Sequence, residues 1–572
     1  MTTNIFRLLF GLMFLCGTLS AQEKKGDFLF RAMQDELNRN MKELSLPGME
    51  RPFFMEYMVT EGKSIRLNAT LGSINSIGDS PLARIINVKV LVGDYHRTNV
   101  MNYKQQMGFG FLSPAATSVD DNYGQIKRNL WQQTDVAYKK AAEAYSKKMA
   151  ILKQKKLSQE DSTLDDLSKV VPVDKVFPSN NIVIDKLRIS RLLEEMSAIF
   201  KNYPDIDDSH VSAWYTMNDV YVVNSENSKY SFPNNLLTID VVINGRVDGK
   251  NMTDNMNICV LQEKDLPSLT EIKAQVNEFA QRFVSIKNAP AINEYYSGPV
   301  LFEGTAVASL FEELLMGGPY ATREPVQGQS TATLQEKMNN KVVSDEYTVK
   351  CMPFLKEYEG QKLAGHFEMD LEGIVPDKEL TLIENGILKN VIGNRMPSKY
   401  NKASSGYSRS VCNTFQISGI LCPGVLDIST SRGVSKDSLK QLLLKTAREN
   451  GYKYAYIIRK LDFAPGIRMG NGMNYAPTYC YKVNVTDGSE ELIRDAEFRD
   501  FSKGILKLAM GTSNNKIVVN KIYYFSVPMT YICPDAILLP NIEIAMKQDA
   551  KKTPPPVVKN PLLVRMNNVN ME

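Results

Sequence analysis

Two turn dipeptides, each set between short apolar runs, constrain this chain more than any other feature. Asn385-Gly386 separates Leu382-Ile383 from Ile387-Leu388, and Asp487-Gly488 separates the run Tyr481–Val485 from the segment Glu490–Arg494. A two-residue connection of this kind needs positive φ at its central positions, which Asn, Asp and Gly adopt readily, and its twist suits antiparallel strands. The second half is therefore expected to be strand-rich. One helix interrupts it: Ser435 is placed to cap, Leu439, Leu442 and Leu443 form a stripe, and Gly451 ends the run.

The first half mixes both periodicities. Phe28, Leu29, Met33, Leu37, Met41 and Leu44 recur at helical spacing before Pro47-Gly48. Extended segments are expected at 53–59, 65–71 and 84–92, the last alternating Ile86, Val88 and Val90 with Asn87 and Lys89. From about 129 to 169 the chain reads as a solvated, highly charged helical arm. Helices are expected again over 184–200 and 269–283, with strands at 211–223 and 236–243. Ala289-Pro290 marks the expected boundary, giving a mixed α/β domain over 22–290 and a β-rich domain over 291–550. The fold class is α+β in both. A Pro-containing tail follows from 551 to 572.

At 572 residues the chain can bury more than one core, and 43% hydrophobic with 23% charged residues is ordinary for a globular protein. The formal net charge of +4 is small and scattered, so no nucleic-acid partner is expected. Arg7 followed by the apolar run Leu8–Cys16 and small residues up to Ala21 reads as an export signal over 1–21. That run is too short to span a bilayer, so no stable membrane insertion is expected and the mature chain is placed in an extracytoplasmic space, periplasmic or secreted. Lipidation at Cys16 is the alternative. The six later cysteines, Cys259, Cys351, Cys412, Cys422, Cys480 and Cys533, make no CxxC pair, and are expected mostly as small buried apolar residues.

Several segments, taken in order, carry a resemblance. LWQQTDVAYKKAAEAY holds Trp131, Asp135 and Tyr138; Gly298–Gly304 reads GPVLFEG and runs into TAVASLFEELLMGGPY. Asp370-Leu371-Glu372-Gly373, Thr381–Gly386, Ser404–Arg409 and Asp487–Arg494 follow. Together they resemble the TldD/PmbA family, known also as modulators of DNA gyrase. The resemblance implies a two-domain protein with its cleft in the C-terminal domain. Catalytic members hold one zinc through the two histidines of an HExxxH helix and a later cysteine, with the glutamate as general base. The metal polarises water and carbonyl while the carboxylate takes a proton. Here Glu312 stands at the base position, but Phe311 and Met316 occupy the ligand positions. Neither a phenyl ring nor a thioether is a zinc ligand. Cys533, in TYICPDAILL, is nearest to the late cysteine. Gly304, Asp370, Glu372, Gly406 and Arg409 fall on the implied substrate groove.

Other constellations are open to the same residues. The chain has three histidines, His96, His210 and His366. Read as a strand, His366-Phe367-Glu368-Met369-Asp370 would aim three metal-binding side chains to one side; a polar face on a half-exposed strand is the plainer reading. Glu312 is either a retained base or a surface glutamate on a helix packed through Leu310, Phe311, Leu314 and Leu315. No Gly-x-Ser-x-Gly elbow occurs. Gly470-Asn471-Gly472 is read as a mobile connection. The expected function is a zinc-site-degenerate subunit that binds extended peptide for a proteolytic complex. No cofactor is expected, and the partner is a TldD-like catalytic chain or a second copy in a homodimer. The alternatives are an active peptidase with a rebuilt zinc site at His366 or Cys533, and a solitary ligand-binding protein.

Overall fold

Four apolar clusters formed by helices laid on sheets account for most of the core. The structure, a computed structural model, describes residues 25–100, 114–154, 162–180, 183–315, 318–321, 323, 334–410, 419–463, 475–499, 501–523, 527–547, 558 and 561–562. The expected signal, Cys16, Cys412, Met316, the Gly470–Gly472 cluster and nearly all of the tail lie outside them. Six helices are used below: α1 (Lys25–Glu43), α2 (Tyr123–Gln154), α3 (Lys186–Ala198), α4 (Leu269–Asn288), α5 (Thr305–Leu315) and α6 (Lys436–Glu449).

Nine described strands drawn from residues 52–260 form the first sheet, built around the strand Pro52–Thr70. That strand pairs with Ala83–Val92 along one edge and with Asp208–Asn224 along the other. The expected break between 59 and 65 does not occur. Glu61 is held inside the sheet by an ion pair: it accepts from Arg84 Nε at 3.0 Å, and both side chains are 1% exposed. Gly62 lets Asn218 lie against the backbone, where a Cβ would collide with its Oδ1. Helices α1 and α2 cover one stretch of the sheet through Leu29, Met33, Leu130 and Tyr138, against Met55, Tyr57 and Val88. Helices α3 and α4 cover another through Leu193, Val276 and Phe283, against Ile65, Ile239 and Val241. The charged α2 is thus half of a packed layer, with Trp131 and the Asp135–Lys139 pair on its outer face.

Two further sheets follow. In one, Tyr296–Glu303 runs parallel to Tyr454–Phe463 and antiparallel to Ala536–Met546. The other orders Ile387–Leu388, Leu380–Glu384, Tyr347–Cys351, Val425–Thr430, Val527–Pro534 and Lys516–Tyr523. Val300 and Phe302 face the large core that contains α5, while Leu301 faces the cluster covered by α6 through Leu439 and Leu443. This alternation is that of a strand buried on both faces. The α6 cap is as expected, with Ser438 N–H donating to Ser435 Oγ at 3.1 Å. The Asn385-Gly386 turn has φ of 47° and 79°, the two positive values its type requires. Cys259, Cys351, Cys422, Cys480 and Cys533 are all buried, as small apolar side chains are. No described helix is long and apolar enough to cross a membrane.

Candidate functional site

Gly304 ends the strand Tyr296–Glu303 and starts α5, donating its N–H to Asp535 O at 2.8 Å with φ of 60°. Every residue of α5 from Ala306 to Leu315 is buried. A helix apolar on all sides must be covered on all sides. Phe311, which the resemblance sets at the first zinc-ligand position, meets Tyr347 edge-on, with ring centroids 5.5 Å apart at 81°. It is core. Glu312 is 8% exposed, so the surface-glutamate reading is overturned. The carboxylate is instead held from outside its own helix. Lys521 forms an ion pair with Glu312 Oε2, and Tyr475 donates its hydroxyl to the same oxygen at 2.8 Å. Lys521 also reaches Ser309 Oγ at 3.3 Å, one turn earlier on α5, and sits 5.7 Å from the Tyr475 ring centroid. Burial, and then the adjacent Glu312 charge, push the Tyr475 phenol far above its ordinary range.

Lys521 lies on the strand Lys516–Tyr523, whose neighbour Val527–Pro534 carries Cys533. Cys533 is 0% exposed, in the same core as Phe311, and burial holds its thiol up. Among the described residues no group of three His, Cys, Asp or Glu side chains converges as metal ligands would. Of the positions that the resemblance sets around a zinc, the described ones do not fit it: Phe311 offers a phenyl ring packed in the core, and the Glu312 carboxylate is paired with Lys521.

The His366–Asp370 segment is a loop, so neither strand reading of it stands. Asp370 makes the turn itself. Its Oδ1 accepts from the N–H groups of Glu372 and Ile374 at 2.9 Å each, and its Oδ2 from Ser408 N at 3.0 Å. Gly373 then takes φ of 77°, where a Cβ would stand 2.6 Å from the Tyr230 ring. Glu368 pairs with Lys356 at 2.8 Å, and His366 Nδ1 lies 2.7 Å from Leu363 O. The three side chains address three different partners. His96 is elsewhere, 3.1 Å from Asp165, and His210 lies on the strand Asp208–Asn224.

The proposed groove residues divide. Asp370 and Arg409 line one cleft of about 450 Å³ between the first sheet and the C-terminal loops, and His366 joins them there. Gly304 and Gly406 do not; Gly406 (φ 78°) shapes the turn against Pro376 that precedes the strand Ser408–Ser410. Glu372 belongs to a buried charge network that ties the first sheet to these loops. Arg395 N–H donates to Glu372 at 3.0 Å, and the Arg395 guanidinium makes two 2.7 Å bonds to Glu226 and two to Ser168 O. Glu56 and Lys89, directly opposite on neighbouring strands, complete it. Burial raises Glu56, Asp370 and Glu372, the last against the pull of Lys89 and Arg395, and burial lowers Lys89. Lys521, Tyr475 and Arg395 were not anticipated. Each comes from a segment with no local motif.

Residues 296–426 match the family model of the PmbA/TldA metallopeptidase C-terminal domain. No curated protein matches the chain. Among solved structures, TldE from Thermococcus kodakarensis is similar at 15% identity and a TM-score of 0.55, over 90% of this chain and 100% of that one. A candidate modulator of DNA gyrase from Thermotoga maritima gives 14% identity, a TM-score of 0.55 and the same coverage. Another from Bacteroides thetaiotaomicron gives 11%, 0.52, and 92% and 99% coverage. At such identities the likeness is one of fold.

Proposed function

This chain belongs to the TldD/PmbA family, and from that premise we propose that it is a metal-ligand-depleted subunit that binds extended peptide for a proteolytic assembly. One observation carries the reading. The carboxylate at the family's general-base position is closed by Lys521 and Tyr475, beside a ring that belongs to the core. A base must reach the proton it abstracts. This one is engaged by an ammonium and a phenol inside a covered helix.

The cleft lined by His366 and Arg409 supports the binding part of the proposal, since it is concave and sets apolar side chains such as Phe177, Phe232 and Met369 beside charged and polar ones. The partner we propose is a TldD-like chain with an intact HExxxH helix, or a second copy where none is made. The leader-like segment before Gln22 supports export, which N-terminal sequencing of the extracytoplasmic fraction would test. Hydrolysis of casein-derived peptides tests the whole reading. The chain alone should be inactive, and it should bind to a TldD-like chain and raise that chain's turnover of long peptides. Hydrolysis by the chain alone that disappears in Glu312→Gln would overturn it.

A further inference from the structure

The buried charges behind one wall of the cleft do not balance. Among the described residues, four carboxyls (Glu56, Glu226, Asp370 and Glu372) meet two cations, Lys89 and Arg395, in the seam between the first sheet and the C-terminal loops. The Arg395 guanidinium is engaged with Glu226 through two 2.7 Å bonds, and Tyr95 donates its hydroxyl to the same carboxylate at 2.7 Å. Lys89 is then the remaining described cation for Glu56, Asp370 and Glu372. A buried carboxylate that lacks a cation of its own takes up a proton rather than keep its charge.

We propose that this seam is a proton-held clasp: its surplus carboxyls carry protons while it is closed, and their ionisation loosens the turn Asp370–Ile374, whose first two residues line the cleft. It joins three stretches of chain. Glu56, Lys89 and Glu226 belong to the first sheet and the turn after its strand Asp208–Asn224, while Glu372 and Arg395 belong to the C-terminal loops. Ser168, from the stretch after α2, accepts from the Arg395 guanidinium at 3.1 and 2.7 Å and donates its N–H to Arg395 O at 2.7 Å. The turn is fastened by Glu372, which accepts from Arg395 N–H at 3.0 Å and from Ser404 Oγ at 3.3 Å. Tyr230 adds a bond from its hydroxyl to Leu371 O at 3.0 Å.

The surrounding charges are engaged elsewhere. Lys89 and Arg395 both lie over the Phe54 ring, at 5.4 and 5.3 Å from its centroid, and the exposed Lys169 lies over the Tyr95 ring at 5.2 Å. Asp166, two residues before Ser168, pairs with Lys148 and with Arg323. Burial raises Glu56, Asp370 and Glu372, the direction that a surplus of acid requires. Asp370 and Glu372 share one turn, so their protons belong to the group rather than to one carboxyl. Groups raised on folding favour the closed form below their ordinary range, and that contribution is lost as pH rises through the raised values. The clasp is therefore closed in acid and loosened in base, where added like charges repel without water to screen them.

Hydrogen exchange read by mass spectrometry tests this on the full chain, at pH 6 and pH 8.5 with labelling times scaled to the intrinsic exchange rate. Protection of residues 369–376 and 393–397 should fall at least about tenfold at the higher pH, while α4 keeps its own. Glu372→Gln should shrink that fall, since the group then has one ionisable carboxyl fewer. Infrared spectra of the wild type need no variant, so they stand even if Glu372→Gln fails to fold. Exposed carboxyls are ionised at pH 6, so the carbonyl band of protonated carboxyls should be present there from the buried group alone, and should fade by pH 8.5. Absence of that band at pH 6 would overturn the clasp. So would protection that does not change with pH, or that falls equally in α4.

Discussion

Two regions of the C-terminal part hold charge in different settings. At Glu312 every charge is matched within the fold: carboxylate, ammonium and phenol meet inside a helix buried on all sides. At Arg409 the guanidinium stacks on Phe367, donates to Gly365 O and lines the cleft. A glutamate that a sequence motif singles out is thus packed into the fold, while a residue outside that helix lines a cleft. Position in a family pattern locates Glu312; only its partners say what it does.

The largest expected effect breaks the first half of that comparison. Lys521→Met leaves a buried carboxylate without its counter-charge, and should cost about 3 kcal/mol of stability in denaturant unfolding. Adding Glu312→Gln to it should recover most of the loss. If Lys521→Met costs nothing, the pair does not close the position. Cys533→Ser comes next. It exchanges a buried thiol for a hydroxyl in an apolar core, and a lowering of about 1–2 kcal/mol with no change in metal content is expected. A loss of bound metal in that variant would reopen the rebuilt-site reading.

A smaller effect sharpens the contrast through pH. Glu56, Asp370 and Glu372 are held up by burial, so the stability they contribute is complete below the ordinary carboxylate range and is lost as pH rises through their raised folded values. His366 is held down by burial, so its contribution is present above its ordinary value and is lost as pH falls through the lowered one. Thermal midpoints at pH 5 and pH 8 should therefore respond in opposite directions. Glu372→Gln should weaken the preference for pH 5, and His366→Asn should strengthen it. Shifts of the same sign in both variants would contradict these assignments. Smallest of all, Trp131→Ala on the outer face of α2 should change stability by less than about 0.5 kcal/mol. A loss of partner binding in that variant would make the helix a docking surface.

Much of the fold was legible where local chemistry dictates it. The Asn385-Gly386 turn, the Ser435 cap and the stripe of α6 rest on rules confined to a few neighbouring residues. The continuous strand through Glu61 and Gly62 was not legible, because what keeps Glu61 in a sheet is Arg84, some twenty residues away. The same limit governs the site. Phe311 could be recognised as no metal ligand from its chemistry alone. That Glu312 is buried and held by Lys521 depends on a strand about two hundred residues later, which no local pattern announces. The loop at His366–Asp370 resembled a strand because its residues alternate; Asp370's three backbone bonds, one of them to Ser408, decide otherwise.

The central claim is that no metal belongs at Glu312, and elemental mass spectrometry of the full-length chain after dialysis against zinc tests it most directly. The account predicts far less than one zinc per chain, for the wild type and for Glu312→Gln alike. Near-stoichiometric zinc that is lost on substituting Glu312, Cys533 or His366 would contradict it.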